Sequence, residues 1–328
     1  MVSAADSRPV LAFDVGGTDI KSGLIQGPLL PGTAIQPGIL DVQRLSTPRD
    51  PAAPADAVVD AVAALAEAYL ARHPDLPPAA VGVTVPGLVD EAAGTGIYSA
   101  NLGWRDYPFA DRLRSRLGIP VAFGHDVAMA GEAEFRIGAA RGRSDVLVLV
   151  IGTGIAGAVF ADGRRVAGGG YAGEIGHAMV PLPDGSLQIL EAVGSAGAIG
   201  SRYARLTAKT GNTADTGDTI DPGDARAVAA RARQGEPAAL SVWTEAAHAI
   251  AFGIAQCVSL LGTDTVVLGG GLAQAGPLLF DPVRARVDEL LTFHRRPDLL
   301  AAELGQDAGL IGSALMARER LAAERSGA

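Results

Sequence analysis

Cysteine is nearly absent from this sequence, and its scarcity excludes two kinds of stabilising site. The chain has 328 residues and one cysteine, Cys257. A single thiol can form neither an internal disulfide framework nor a cysteine-based metal site. Cys257 lies in an apolar run with helical spacing, so we expect a buried packing residue rather than a nucleophile.

Excess positive charge and long apolar stretches are missing as well. The formal net charge is −9 and the pI is about 5.1, which argues against recognition of a nucleic acid through bulk charge. The N-terminus shows no basic start followed by a long apolar segment, and no apolar run reaches membrane-spanning length. The sequence therefore predicts a cytoplasmic protein that binds neither nucleic acid nor membrane.

Glycine, in contrast, is abundant, and it occurs in turns that follow apolar strands. The first turn lies in DVGGTDIK, residues 14–21, between two strand-like runs. Paired glycines leave backbone N–H groups open to an anion, and an aspartate here could hold a hydrated Mg²⁺. An ordinary hairpin with a polar tip is the alternative. The candidate ligands in this segment are Asp14, Gly16, Gly17, Thr18 and Lys21.

The layout of strand, glycine turn and returning strand occurs a second time. The apolar run Val146–Ile151 leads into Gly152, Thr153 and Gly154. A further glycine turn, Gly269–Gly271 including Gly270, ends a strand near residue 268. Ligands in open α/β folds bind at the carboxyl ends of strands. Two turns for phosphates and a third for a nucleoside favour ATP as a ligand.

Strands alternate with helices along the chain, which indicates an α/β fold. Because two halves begin with the same strand–turn–strand pattern, we expect two α/β domains flanking a cleft. The predicted smaller N-terminal domain comprises residues 1–125, joined by the C-terminal helix 308–328. The larger C-terminal domain comprises residues 126–307. Within it, we predict helical structure at 191–206 and a polar surface loop at 209–223.

Seven motifs, in order along the chain, resemble those of the ROK family of repressors, open reading frames and sugar kinases. They are DVGGT at 14–18, VPG at 85–87, NLGW at 101–104, HDVAMAGEAEFRIGAARG at 125–142, GTG at 152–154, GEIGH at 173–177 and LGGGL at 268–272. The resemblance covers nearly the whole chain. It implies an actin-like ATPase (ribonuclease H-like) fold and transfer of the ATP γ-phosphoryl group to a hexose with Mg²⁺, most of all to glucose O6.

The resemblance assigns Asp126 as the base that accepts the proton of the sugar hydroxyl, with a helix N-cap as the alternative. The family usually has Asn before this aspartate, and here the residue is His125, whose imidazole can hydrogen-bond a sugar hydroxyl. A helix-start charge is the alternative for Glu191, and a core histidine is the alternative for His177. The residues that the resemblance assigns to the sugar besides Asp126 and His125 are Gly87, Asn101, Glu174, His177 and Glu191.

The chain departs from the family at a zinc site. The family commonly carries CxCGxxGCLE between the histidine of GEIGH and a later glutamate. Residues 178–191 read AMVPLPDGSLQILE here and contain no cysteine. Zinc sites of that kind need thiolates, so His177 alone does not suffice and we expect no zinc. The residues predicted to pack in place of the metal are Val180, Leu182, Leu187 and Ile189.

Other functions remain open on the sequence. Kinases for mannose, fructose, allose or an N-acetylated hexosamine differ by few contacts, and polyphosphate could replace ATP. Repressors of the family carry a helix-turn-helix domain before the first strand, whereas nine residues precede Val10 here. A non-catalytic sugar sensor needs no base, so Asp14 and Asp126 favour an enzyme. Because family members are often dimeric, a homodimer is expected.

Overall fold

The computed structural model describes residues 8–27, 38–210 and 224–326, with side chains described to residue 208 in the second range and to residue 324 in the third. The loop predicted at 209–223 lies outside the described residues from 211 onward. The strands are β1 (Val10–Val15), β2 (Asp19–Gln26), β3 (Gly38–Ser46), β4 (Val81–Val85), β5 (Leu88–Asp90), β6 (Thr95–Tyr98), β7 (Arg105–Tyr107), β8 (Val121–His125), β9 (Val146–Ile151), β10 (Ile155–Ala161), β11 (Arg164–Arg165), β12 (Met179–Pro181), β13 (Leu187–Ile189), β14 (Thr265–Gly269) and β15 (Asp298–Ala301). The α-helices are α1 (Pro54–Arg72), α2 (Phe109–Leu117), α3 (Asp126–Ile137), α4 (Glu191–Gly194), α5 (Ala196–Thr210), α6 (Ala225–Arg233), α7 (Pro237–Leu261), α8 (Pro277–Leu290) and α9 (Ala308–Ser326).

Local sequence signals set most helix ends. Helices α1 and α7 begin at a proline, whose missing N–H is not needed in a first turn. Helices α2 and α7 end before Gly118 and Gly262, which adopt left-handed φ angles of 66° and 69°. The helical structure predicted at 191–206 is present as two helices, α4 and α5, because the backbone is extended at Ser195. The Ser195 hydroxyl accepts a hydrogen bond from Ala198 N–H and starts a new helix, α5.

The first compact unit contains the chain up to Gly142, residues Ala167–Tyr171 and the chain from Gln306. Its main sheet has the order β3-β2-β1-β4-β8, in which β1, β4 and β8 are parallel. Helix α9 packs against these three strands and against α3. Because α3 packs with α9, the unit extends beyond the domain boundary predicted at residue 125.

The parallel strands of this unit bring several motifs to one edge of the sheet. Asp14 in β1 pairs with Thr84 in β4, and Val85 pairs with His125 in β8. Every residue of β4 is buried, as in parallel sheets that are covered on both faces. The register therefore places the carboxyl ends of DVGGT, VPG and HD side by side.

An aromatic cluster positions the NLGW segment in the same unit. The Phe109 ring lies edge-to-face with Trp104 at 4.9 Å and stacks on Phe123 at 5.1 Å, measured between centroids. All three rings are buried. Trp104 immediately precedes β7 in the small sheet β5-β6-β7, so the cluster fixes the turn that carries Asn101.

The second compact unit contains Arg143–Val166 and Ala172–Gly305. Its sheet has the order β11-β10-β9-β14-β15, and β9, β14 and β15 are parallel. Strand β15 is not predicted from the sequence, because its four residues are too few to show a periodic pattern. The glycine turns at 152–154 and 269–271 follow the adjacent parallel strands β9 and β14.

Helix α7 forms the centre of the second unit. Its buried residues include Val242, Trp243, Ile250 and Ile254, and it packs against α5, α6 and α8. Among the described residues it is the one helix that is long and apolar enough to cross a membrane. Half of the residues in its most apolar 18-residue stretch are buried inside the protein. The expectation that no apolar run reaches this length is therefore wrong, although burial of this kind is typical of a core helix. Cys257 packs on this core as predicted but is half-buried, and this burial raises its thiol pKa to about 11.

Candidate active site

Asp14 lies at the carboxyl end of β1, against the first turn of α9. The Thr84 hydroxyl donates a hydrogen bond to Asp14 Oδ1 at 3.0 Å. A Cβ atom at Gly309 would collide with the same carboxylate, so a larger residue there would displace Asp14 from this position. Burial, followed by the negative charge of Asp126, raises the pKa of Asp14 to about 6. The ionised form of Asp14 would gain from a cation beside it.

The predicted glycine turn at 16–18 is held by a segment that is absent from the predicted site. The Thr47 hydroxyl donates to the Gly16 carbonyl at 2.7 Å, and Arg49 donates to the Gly17 carbonyl at 2.8 Å. Thr18 is exposed. No local motif marks Thr47 or Arg49, because the strand pairing of β2 with β3 brings them to the turn.

Lys21 is buried and already paired. Its ammonium donates to the Gln306 carbonyl at 2.8 Å and forms an ion pair with Asp307. These contacts hold the segment before α9 on β2. They favour a structural role for Lys21 over the predicted role as a counter-charge to phosphate.

Asp126 opens α3, and His125 caps that helix. The Nδ1 atom of His125 accepts a hydrogen bond from Ala128 N–H at 3.2 Å, and its Nε2 atom lies 3.2 Å from Asp126 Oδ1. Asp126 Oδ1 also accepts from Val127 N–H at 2.8 Å. Because Nδ1 acts as an acceptor, a neutral imidazole carries its proton on Nε2, which faces Asp126. The capping role considered for Asp126 thus belongs to His125.

The cap gives a stability prediction. We expect His125→Ala to lower the free energy of unfolding by about 1 kcal/mol, because α3 loses its N-cap acceptor. His125→Asn should restore most of this loss, since asparagine is a good N-cap residue. Urea titration followed by circular dichroism measures both variants. Equal stability of wild type and His125→Ala would contradict the capping role.

Gly87 and Asn101 lie close to the same edge of the first unit. Gly87 follows β4 with φ of 105°, and a Cβ atom there would collide with the Tyr98 carbonyl oxygen. Asn101 is exposed, and its amide nitrogen would lie 3.1 Å from a Cβ atom at Gly17. The structure therefore brings NLGW next to DVGGT.

The second unit holds a cavity of about 500 Å³ between its glycine turns and α6. Gly152 and Thr153 line it from the second turn, and Gly271 lines it from the third. Gly269 is buried, whereas a Cβ atom at Gly270 would collide with the end of β9, so these two glycines serve close packing. The cavity therefore joins two of the three predicted nucleotide-binding turns.

Two cations of α6 line this cavity and are absent from the predicted site. Arg226 and Arg233 lie on either side of Ala229, which also faces the cavity, and Trp243 of α7 completes this wall. Arg233 donates to the Ala275 carbonyl at 3.0 Å. The i, i+3, i+7 spacing shows in the sequence that these residues share a helix face, but nothing local shows that a cavity lies there.

The three remaining sugar candidates lie in the second unit. Glu174 is half-buried before the short 3₁₀ turn Ile175–His177. His177 is exposed, which excludes the alternative of a core histidine. Glu191 opens α4 and accepts a hydrogen bond from Ile155 N–H at 2.9 Å, so its carboxylate lies against the turn that lines the cavity.

The segment that replaces the family's zinc motif is the hairpin β12–β13. Val180 is fully buried and Leu182 packs on the core, as predicted. Leu187 is 57% exposed, so its predicted packing role is wrong. In the antiparallel pair of β12 and β13, Val180 lies opposite Gln188, so these two side chains share one face of the hairpin. Because side chains alternate along a strand, Leu187 lies on the opposite face. Ile189 is half-buried on that face.

We predict that the purified protein contains no stoichiometric zinc. Within the ranges that the structure describes, no group of three or more His, Cys, Asp or Glu side chains could hold a metal ion. EDTA should leave the melting temperature unchanged, because apolar contacts and β-pairing hold the hairpin. Elemental analysis and thermal denaturation measure the two quantities, and one zinc per chain would contradict the prediction.

The comparisons with known proteins agree with the motif order. A profile of the ROK family matches residues 10–320. The chain is 31% identical over 324 residues to a glucokinase of Streptomyces coelicolor, covering 94% of this chain and 97% of that protein. It is 30% identical over 311 residues to an N-acetylmannosamine kinase of Shigella boydii, covering 94% and 98%.

The fold is also similar to that of a solved structure. The ROK family glucokinase from Streptomyces griseus, in complex with glucose and AMPPNP, is 29% identical to this chain with a TM-score of 0.77. The match covers 95% of this chain and 99% of that one. It confirms the predicted actin-like ATPase fold. Since the family profile spans nearly the whole sequence, the chain belongs to the ROK family.

Proposed function

We propose that this protein is an ATP- and Mg²⁺-dependent hexose kinase that phosphorylates glucose at O6. The observation that carries the proposal is the placement of Asp126. Its Oδ1 atom is held by Val127 N–H, while Oδ2 receives no hydrogen bond from the residues that the structure describes. A carboxylate fixed by one oxygen and open at the other suits a general base.

The cavity of the second unit supports ATP as the donor. Its volume of about 500 Å³ lies in the range of small-molecule sites. Glycine turns supply backbone N–H groups for phosphate oxygens, and Arg226 and Arg233 supply positive charge. The apolar surface of Trp243, Ala229 and Leu272 suits a nucleoside.

Asp14 fits a hydrated Mg²⁺. Mg²⁺ prefers oxygen ligands, keeps several waters and needs only one or two carboxylates besides the phosphates. The pKa of Asp14 is raised first by burial and then by the negative charge of Asp126, so a bound cation would stabilise its ionised form. When bound, Mg²⁺ would neutralise charge on the transferring phosphoryl group. Thr84 keeps the Asp14 carboxylate in place through Oδ1.

In the proposed reaction, Asp126 takes the proton of the sugar hydroxyl as that oxygen bonds to the γ-phosphorus, and the bond to ADP breaks. The sugar hydroxyls are proposed to bind Asn101, Glu174, His177 and Glu191, and the backbone at Gly87. Carboxylates suit vicinal hydroxyls because each oxygen accepts more than one hydrogen bond. We place this activity in the cytoplasm and in a homodimer.

The second candidate is phosphorylation of an N-acetylated hexosamine. It is favoured by the sequence identity to the N-acetylmannosamine kinase, which is 30% against 31% for the glucokinase. A coupled ADP-release assay with ATP over glucose, mannose, fructose, allose, N-acetylglucosamine and N-acetylmannosamine tests both candidates. Polyphosphate as the alternative donor releases no ADP, so it is tested by measuring the sugar phosphate directly. We expect the highest kcat/KM with glucose and ATP. A higher value for an acetylated sugar overturns the glucose assignment, and tight binding without turnover would make the protein a sensor.

A further inference from the structure

Glu191 contacts the glycine turn that lines the cavity. Its Oε2 atom accepts a hydrogen bond from Ile155 N–H at 2.9 Å, directly after the turn Gly152–Gly154. A Cβ atom at Gly154 would lie 2.5 Å from the same oxygen. Glycine at this position therefore lets the carboxylate reach the backbone, and the carboxylate in turn fixes the last peptide of the turn.

The chain just after Glu191 holds the other end of the same turn. Ala196 N–H donates to the Gly152 carbonyl at 2.9 Å, and inside the turn Gly152 N–H donates to the Gly154 carbonyl at 2.9 Å. Ala196 also lines the cavity. Glu191 and Ala196 thus hold the turn at its two ends, and only Glu191 does so through a side chain.

The Glu191 carboxylate can accept further hydrogen bonds besides the one from Ile155 N–H. Its Oε1 atom receives no hydrogen bond from the described residues and lies 3.8 Å from the Cβ position of Gly154. A carboxylate offers about four lone-pair sites, and the bond from Ile155 uses one of them. The half-buried side chain can therefore accept a sugar hydroxyl without releasing the turn.

We propose that Glu191 is a positioning residue that couples the two substrates, with Oε1 for the sugar and Oε2 for the donor turn. The inference rests on the proposed kinase function. A sugar hydroxyl bound to Oε1 would limit the motion of the Glu191 carboxylate. Through the hydrogen bond from Ile155 N–H, this would also limit the motion of the turn Gly152–Gly154, whose N–H groups are proposed to bind the nucleotide phosphates. Coupling between two binding sites is reciprocal, so sugar and nucleotide raise each other's affinity by the same factor.

Calorimetry with AMPPNP and Mg²⁺, with and without saturating glucose, tests the coupling. In the wild type we expect glucose to lower the Kd of AMPPNP at least about fivefold. Glu191→Ala should raise the sugar-free Kd of AMPPNP at least about threefold, because the turn loses one hydrogen bond, and should abolish the effect of glucose. A residue that only contacts sugar leaves the sugar-free Kd unchanged.

Glu191→Gln separates the two roles. Its amide oxygen can still accept from Ile155 N–H, so the sugar-free Kd of AMPPNP should stay within about twofold of wild type, while glucose binds more weakly. Glu174→Gln is the matched control, because Glu174 is a proposed sugar ligand away from Ile155. Glu174→Gln should weaken the binding of glucose, but its Kd for AMPPNP without sugar should equal that of wild type. If Glu191→Ala does not fold, Glu191→Asp replaces it, since the shorter acid retains charge but withdraws from Ile155.

The outcomes distinguish this inference from the kinase assignment. A wild-type protein that binds no AMPPNP overturns both. A wild type that binds AMPPNP and phosphorylates glucose, with an unchanged sugar-free Kd in Glu191→Ala or Glu191→Asp, overturns only the positioning role. A raised Kd in those variants that Glu191→Gln restores supports the positioning role.

Discussion

Asp126→Asn is expected to lower kcat at least about a hundredfold, because a positioned base contributes typically about 10²–10⁴-fold. Asparagine keeps the size of the side chain, and its oxygen can still accept from Val127 N–H as Asp126 Oδ1 does. It can also hydrogen-bond a sugar hydroxyl, but it does not remove the proton. Steady-state kinetics with glucose and ATP measure the loss.

The binding measurements show whether Asp126 acts as the base. Direct titration of Asp126→Asn with glucose should give a Kd close to that of wild type, so the loss should appear in kcat. Glu174→Gln should show the opposite pattern, with weaker sugar binding and a smaller change in kcat. Near wild-type turnover of Asp126→Asn would show that the base assignment is wrong.

The sequence predicts the elements of this fold that depend on local pattern. The bounds of α2 and α7 follow from helical spacing, an initial proline in α7 and a final glycine in both. The three glycine turns follow apolar strands in the structure as predicted. Residues that carry their signal within a few positions, such as Asp14 and Asp126 in their motifs, are therefore identified at once.

The features that could not be predicted from the sequence depend on contacts between distant segments of the chain. The pairing of Lys21 with Asp307 joins β2 to the segment before α9, nearly the full chain length away. Leu187 is misassigned because hydrophobicity alone does not say which face of a two-stranded hairpin a residue occupies. The contact of Glu191 with Ile155 likewise depends on how α4 docks on the start of β10. Sequence motifs name such residues without showing what they touch.

Asp14→Asn is expected to stabilise the metal-free protein and to damage the enzyme. The folded-state pKa of Asp14 is raised from 3.8 to about 6, so ionisation is harder in the folded than in the unfolded chain. Above about pH 6 the ionised Asp14 lowers the free energy of unfolding. This destabilisation disappears as the pH falls to 3.8, because Asp14 then becomes protonated in both states. Asparagine is neutral throughout, so the variant should be more stable than wild type at pH 7–8 by about 1–3 kcal/mol.

Urea denaturation in EDTA at pH 4, 5, 6 and 7.5 measures this difference in the free energy of unfolding. The gain of Asp14→Asn over wild type should be close to zero at pH 4 and largest at pH 7.5. In the assay, the variant should lose about 10–100-fold in activity, as expected for a group that holds a metal ion through water. The wild type should need more Mg²⁺ as the pH falls below about 6, since protonated Asp14 no longer attracts a cation. A variant that is less stable than wild type at pH 7.5, or equally active at low Mg²⁺, would contradict the assignment of Asp14 as the half-buried carboxylate that holds the metal.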